Sequence, residues 1–102
     1  MREPDEGYRL WALATIYHAM GHEPESSNAL RDLIEIGAQD NAFQIAEVHA
    51  FRGEADAAFE WLERAYVQRD TGLAETKFNP YLLSLHGDPR WGVFLTRMGF
   101  EA

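Results

Sequence analysis

The strongest structural signal in this chain is the stretch AEVHAFRGEADAAFEWLERA, residues 46–65. Gly53 separates two segments with helical spacing of apolar residues, and glycine commonly ends a helix because it adopts the left-handed conformation. The second segment carries four apolar residues on one helical face: Ala58, Trp61, Leu62 and Ala65. The stretch therefore predicts a helical hairpin, in which Ala58 is small enough to let two helices approach closely.

The same plan occurs earlier in the chain at a constant offset. Three pairs of identical residues are separated by the same number of positions in the sequence: Ala14 and Ala46, Gly21 and Gly53, and Leu30 and Leu62. A helical pattern that recurs about every 20 to 50 residues is typical of stacked repeat arrays. We therefore expect an all-α fold with two tandem helix-turn-helix hairpins, repeat 1 at about 7–38 and repeat 2 at about 39–72. Such an array favours a binding scaffold over an enzyme.

The rest of the chain predicts a cap of short helices at about 73–99. Asn79-Pro80 and Asp88-Pro89 each place a capping residue before a proline, a pattern that starts helices. Residues 73–77 could form one or two further turns. The last helix carries four apolar residues before Gly99: Trp91, Phe94, Leu95 and Met98. We expect residues 1–102 to form a single domain whose C-terminal helices cover the end of the array.

Composition and charge argue against several classes of function. Nine Lys plus Arg against 17 Asp plus Glu give a net charge of −8, which repels phosphate backbones and favours neutral or basic partners. There is no cysteine for a disulfide or a cysteine-type metal site. The N-terminus lacks the pattern of a signal peptide, and the longest apolar run, residues 10–20, is too short to span a membrane. We expect a cytoplasmic protein that binds neither nucleic acid nor membranes.

With these helices and this period, the chain resembles the tetratricopeptide repeat (TPR) family. The second repeat matches the family pattern at five positions: Ala46, Gly53, Ala58, Leu62 and Ala65. His49 replaces the usual tyrosine, whereas the first repeat keeps Tyr17 at its equivalent position. The resemblance covers about residues 7–72. It implies a right-handed α-solenoid that acts as a protein-interaction scaffold.

A second resemblance concerns the stretch 46–65 together with Asp88-Pro89-Arg90-Trp91. Both are similar to the closing segment of certain bacterial TPR proteins, in which that segment often follows a signalling or transcription-regulatory domain. The resemblance implies that the chain is a fragment or a stand-alone relative of such a regulator. An upstream domain would then hold any catalytic activity.

The TPR resemblance also implies which residues line the concave groove: Tyr8, Trp11, Thr15, His18, Phe43, Glu47, Ala50 and Phe51. Trp11 and Phe43 fall off the main core stripes and could be aromatic anchors for a partner. The alternative is that neighbouring helices cover them, since the C-terminal helix could fold back over the groove. Some family members grip a terminal carboxylate with Lys and Asn, but the matching positions here lack both. We expect instead a peptide with apolar anchors and a Lys or Arg near Glu47.

Metal-binding and catalytic patterns are weak. His18 and His22 have a spacing that suits zinc, with Glu23 beside them, but Gly21 ends the helix between the two histidines. No nucleophile and base pair or phosphate-binding loop is recognisable, so we expect no enzymatic role, no metal and no cofactor. The acidic residues of the second hairpin fit a solvated helix face: Glu54, Asp56, Glu60 and Glu63.

Two alternatives to a peptide-binding scaffold stay open. The same apolar patch could mediate homodimerisation or dock onto a parent regulator, because two repeats are fewer than the three usually needed for independent stability. A pocket between the hairpins, around His18, His22 and His49, could instead hold a small ligand or a metal.

Overall fold

The computed structural model describes residues 6–68 and 79–99. Its elements, in chain order, are α1 (Glu6–Ala19), α2 (Glu23–Gly37), α3 (Ala42–Phe51), α4 (Ala55–Gln68), the 3-10 helix η1 (Pro80–Leu85) and α5 (Pro89–Arg97). Within these two ranges there is no strand, which confirms the expected all-α class. None of the described helices combines the length and the apolar character that crossing a membrane requires.

The first helices of the two hairpins, α1 and α3, are followed by the same turn. Gly21 and Gly53 have φ angles of 78° and 79°, in the left-handed region. The N–H of Gly21 donates to the carbonyl of His18, and the N–H of His22 donates to the carbonyl of Tyr17. The same two bonds recur in the second hairpin, around Gly53. This is the Schellman pattern, and it confirms both glycines as helix-ending residues.

Different side chains meet across these two equivalent turns. In the first turn the rings of Tyr17 and His22 stack, with centroids 6.1 Å apart and planes 16° apart. In the second turn, Nδ1 of His49 lies 2.9 Å from Oε1 of Glu54. The His49 side chain is 13% exposed. His49 therefore packs at the position where the first repeat has a tyrosine, and a carboxylate satisfies one of its ring nitrogens.

The hydrophobic core lies between the hairpins. α1 packs against α2, α3 packs against α4, and α3 also contacts α1, α2 and η1. The largest fully buried apolar side chains come from α2, α3, α4 and η1: Leu33, Ile45, Val48, Leu62, Leu82 and Leu85. Ala58 has no exposed surface, as expected for a residue between closely packed helices. Ser26, the equivalent residue of the first hairpin, is also fully buried, and its hydroxyl donates to the carbonyl of Ala14 at 2.8 Å.

Arg52 connects the first hairpin to the second. It is the residue that follows α3, and its side chain is 11% exposed. Its guanidinium donates to the hydroxyls of Ser26 at 2.8 Å and Ser27 at 3.1 Å, both on α2. It also lies 3.6 Å from a carboxylate oxygen of Glu23 and 3.1 Å from one of Glu54. Because these bonds are charge-assisted and largely covered, Arg52 holds the end of α3 against the start of α2.

The two C-terminal helices both lie against the second hairpin. η1 packs on α3, and α5 lies beside α4. Two ion pairs join α4 and α5: Arg90 with Asp56 at 2.9 Å, and Arg97 with Glu63. Both pairs connect residues 34 apart in the chain, so α5 runs in the same direction as α4.

Both predicted helix caps form, whereas α3 begins without a side-chain cap. Asn79 and Asp88 each accept a backbone N–H with a side-chain oxygen, at 2.8 and 2.9 Å, so both predicted caps are confirmed. Asn41 is the N-cap residue of α3, but its side chain makes no capping bond and instead contacts the side chain of Gln44. The turns expected at 73–77 lie outside the described residues.

Candidate functional site

Four of the eight residues expected to line the groove are buried: Thr15, Phe43, Glu47 and Ala50. Phe43, which we expected to be an exposed aromatic anchor, is 4% exposed and belongs to the hydrophobic core. The physical reason is that α3 is packed against α1, α2, α4 and η1, which leaves most of its faces covered. The expectation for Phe43 is therefore corrected.

Glu47 faces η1 rather than an open groove. One of its carboxylate oxygens accepts a hydrogen bond from the side-chain amide of Asn79 at 2.7 Å. On the same side, the hydroxyl of Ser84 donates to the carbonyl of Ala50 at 2.6 Å. η1 thus covers this part of α3, as the alternative interpretation of the sequence allowed. The expected Lys or Arg of a partner beside Glu47 has no support in this geometry.

The other four residues lie together in a continuous row of rings that also includes Tyr81 of η1. The ring centroids of Tyr8 and Trp11 are 5.3 Å apart, and those of Trp11 and Tyr81 are 5.0 Å apart. The row continues from Tyr81 to Phe51 at 5.5 Å and from Phe51 to His18 at 5.5 Å. The last three of these contacts are edge-to-face, with interplanar angles of 74°, 68° and 71°. We call these five residues the aromatic row.

Local structure explains how three separate elements contribute to the aromatic row. Tyr8, Trp11 and His18 share one side of α1 through helical spacing. Phe51 is the last residue of α3, next to the Arg52 contacts that fix this end of the helix. The capping bond of Asn79 fixes the backbone of Tyr81. Each ring is therefore positioned by a helix or a helix terminus, and the row is preorganised.

The aromatic row forms part of an exposed apolar patch. Tyr8 is 63% exposed, and Ile16 on α1 and Met20 in the turn after it are both more than half exposed. A depression of about 190 Å³ lies beside the row, lined by Thr15, Ile16, Ala19, Phe51 and Tyr81. A contiguous apolar surface next to a depression is typical of interaction sites.

The indole nitrogen of Trp11 has an unusual environment. It is buried, and it donates no hydrogen bond within the described parts of the chain. A buried donor without an acceptor costs free energy, since it has lost its hydrogen bonds to water. Trp11 therefore has an unused donor near the middle of the aromatic row.

The histidines do not converge on a common site. Nδ1 of His18 lies 2.5 Å from Oε1 of Glu23, whereas the ring of His22 stacks on Tyr17. His49 bonds to Glu54 in the turn of the second hairpin. Across residues 6–68 and 79–99, no group of three or more His, Cys, Asp or Glu side chains could hold a metal ion. The geometry thus lends no support to a metal pocket around the three histidines.

A second depression, of about 440 Å³, lies between α4 and α5. Its apolar surface includes Phe59 and Phe94, and the guanidinium of Arg90 lies 4.6 Å from the centroid of the Phe59 ring. The acidic residues that line it are at least partly exposed, as expected for a solvated helix face: Asp56, Glu60 and Glu63. Because Asp56 and Glu63 are paired with arginines of α5, this depression carries charges of both signs.

Comparison of the chain with protein-family models, curated proteins and solved structures found no match.

Proposed function

We propose that the chain is a TPR-type interaction module that binds a peptide segment of a partner protein at the aromatic row. The observation that carries this proposal is the row itself, in which rings from α1, α3 and η1 are in continuous contact beside exposed apolar side chains. Tyr and Trp are enriched among the residues that dominate binding energy in protein interfaces. A rigid row also loses little conformational entropy when it binds.

Two intervals support the TPR type. The first is the interval between the helix-ending turns at Gly21 and Gly53, which is slightly shorter than the period of the family. The second is the separation of the ion-paired residues of α4 and α5, which are 34 positions apart in the chain. The family repeats a helical hairpin about every 34 residues. Two hairpins are fewer than the three repeats usually needed for a stable array, and η1 adds buried contact by packing on α3.

The charge of the chain supports a neutral or basic partner. The net charge is −8, and Glu23 lies at the His18 end of the aromatic row with half of its side chain exposed. Electrostatic complementarity mainly raises the association rate and excludes wrong partners. The apolar contacts of the row would supply most of the affinity.

A selection from a random peptide library displayed on phage, followed by titration of the selected peptides, tests the proposal. The variants are Tyr8→Ala and Phe51→Ala in the aromatic row, with Val93→Ala as the control, because Val93 is 71% exposed on α5. We expect the row variants to bind the selected peptides at least about tenfold more weakly and the control to bind like the wild type. Far-UV circular dichroism checks that each variant is folded. A selection that enriches no peptide, or peptides that bind all variants equally, would contradict the proposal.

Self-association through the same patch is the second candidate function, and the exposure of Tyr8, Ile16 and Met20 favours it. Light scattering distinguishes the two candidates. A wild-type dimer that becomes a monomer in Tyr8→Ala and Phe51→Ala would identify a second copy of the chain as the occupant of the row. A monomer at all concentrations would leave the row free for a different protein.

A further inference from the structure

We infer that the aromatic row recognises a proline-rich segment in the polyproline II conformation, with a basic residue at one end. This inference rests on the proposed function and specifies the ligand of the same site. Peptides are commonly bound as an added β-strand, as a helix in a groove, or as a polyproline II segment on aromatic side chains. The geometry of the row distinguishes these three modes.

The first two modes fit poorly. Strand addition requires an exposed sheet edge, and the described chain is built from helices and turns. A bound helix needs a groove that receives several side chains from a cylinder about 10 Å across. The depression beside the aromatic row measures about 190 Å³ and is shallow by comparison with ligand pockets of about 300 to 1,000 Å³.

The dimensions of the aromatic row suit the third mode. The centroids of Trp11 and Phe51 each lie close to that of Tyr81, at 5.0 and 5.5 Å. A polyproline II helix has three residues per turn and advances about 9 Å per turn, so residues on one of its sides recur at that distance. The centroids of Trp11 and Phe51 are therefore no more than about 10.5 Å apart, which is comparable to one turn of polyproline II, so two prolines one turn apart could contact both rings.

The unused donor of Trp11 favours the same ligand. Its indole N–H is buried with no acceptor among the described residues. The carbonyl groups of a polyproline II segment make no internal hydrogen bonds, whereas those of a helix are mostly occupied. Because this nitrogen is covered in the free structure, a peptide carbonyl satisfies the donor after the Trp11 side chain turns, while the backbone positions of the row stay fixed. Proline-rich segments also lose little entropy on binding, since they are largely preformed in solution.

The charges at one end of the aromatic row determine where the basic residue of the ligand is expected to lie. His18 is the terminal ring, and its Nδ1 contacts Glu23, whose side chain is half exposed. A Lys or Arg beyond the last proline would lie near this carboxylate and would share it with Arg52, whose guanidinium is 3.6 Å away. The net charge of −8 favours the same arrangement at longer range.

Isothermal titration calorimetry with synthetic peptides tests the inference. The probe is a decaproline with two arginines at one end, and the matched control has the same length and charge but glycine at alternate positions. A third probe is an amphipathic helical peptide of equal charge. We expect the wild type to bind the proline probe saturably and at least about tenfold more tightly than the glycine control. Tyr81→Ala and Phe51→Ala should each weaken this binding at least about tenfold, whereas Val93→Ala should not change it.

Three results would overturn the inference. They are no saturable binding of the proline probe by the folded wild type, equal binding of the proline and glycine probes, and binding that persists in both row variants. The proposed function is tested separately by the library selection. If selected peptides require the aromatic row but contain no proline, or if the helical probe binds there in place of the proline probe, the interaction module stands and the proline-rich ligand is wrong.

Discussion

At the scale of single residues, the two turn glycines explain why the hairpins end alike. Gly21 and Gly53 have nearly equal φ angles, at 78° and 79°. A Cβ atom at either position would meet no heavy atom within 4 Å. The requirement for glycine is therefore conformational rather than steric, because residues with a Cβ adopt the left-handed region at a cost.

The variant Gly53→Val tests this requirement. We expect the free energy of unfolding to fall by about 1–2 kcal/mol or more, since a β-branched residue is poorly tolerated at this φ angle. Gly87→Val is the matched control: Gly87 also has open space around its Cβ position, and its φ angle is not in the left-handed region. Urea denaturation monitored by circular dichroism measures both variants. If both variants lose the same amount of stability, the left-handed turn is not the reason that Gly53 is needed.

Arg52 is the residue-scale contact that sequence reasoning missed. In Arg52→Ala we expect the free energy of unfolding to fall by about 1–3 kcal/mol, because the hydroxyl of Ser26 loses its charged donor and Glu54 loses its ion pair. Arg31→Ala, on the exposed side of α2, is the control and should change stability by less than about 0.5 kcal/mol. Chemical denaturation of both variants provides the comparison, and equal stability of the two would refute this role of Arg52.

The pH dependence of Arg52→Ala follows from Glu54. Burial acts to raise the pKa of Glu54, but hydrogen bonds from His49 and Arg52 outweigh it and hold the pKa below its ordinary value of 4.5. A lowered folded-state pKa contributes stability above pH 4.5 that is lost as the pH falls through the folded-state value. The stability difference between wild type and Arg52→Ala should therefore shrink as the pH is lowered below about 4.5.

At the scale of elements, the cap of α5 gives a second pH-dependent prediction. Hydrogen bonds from the side chain and the backbone N–H of Arg90 lower the pKa of Asp88 from 3.8 to about 2. The stabilisation by this cap is present above pH 3.8 and is lost as the pH falls through about 2. NMR titration of the Asp88 carboxyl group should give a midpoint near 2 in the wild type and a higher one in Arg90→Ala. An unshifted midpoint in the variant would show that Arg90 does not cause the lowering.

The helices and most of their ends could be predicted from the sequence, because glycine stops, proline starts and apolar spacing are local signals. The packing of the C-terminal helices is harder to predict. Gly87 follows Gly53 at the interval that separates the ion-paired residues of α4 and α5, but its φ angle is not in the left-handed region, so the helix-ending turn does not recur there. Both C-terminal helices are short, and one is a 3-10 helix, so their apolar spacing carries little information about the helices they contact.

At the scale of the whole molecule, η1 belongs to the core rather than to a separate lid. We expect Leu82→Ala to lower the free energy of unfolding by about 2–5 kcal/mol, because Leu82 is fully buried. Leu83→Ala in the same helix is the control, since Leu83 is 62% exposed. Circular dichroism and tryptophan fluorescence should report one common transition in each variant. If Leu82→Ala has the same free energy of unfolding as the wild type, η1 does not stabilise the array.

The candidate site could be predicted only in part, because part of it depends on how the helices pack in the whole molecule. Tyr8, Trp11, His18 and Phe51 were identified through the family resemblance, and the structure brings them together. The helical period could not reveal that the packed helices bury Phe43, or that η1 covers part of α3 and adds Tyr81 to the aromatic row. That arrangement depends on tertiary contacts such as the one between Asn79 and Glu47.

The most direct test of the central claim, that the aromatic row is the binding site, uses the three tryptophan indole N–H signals in a ¹H–¹⁵N NMR spectrum. Trp11 lies in the row, whereas Trp61 and Trp91 are buried elsewhere, on α4 and α5. When a peptide from the library selection is added, we predict a large shift of the Trp11 signal and little change in the other two. A shift of Trp61 or Trp91 with Trp11 unchanged would contradict the account.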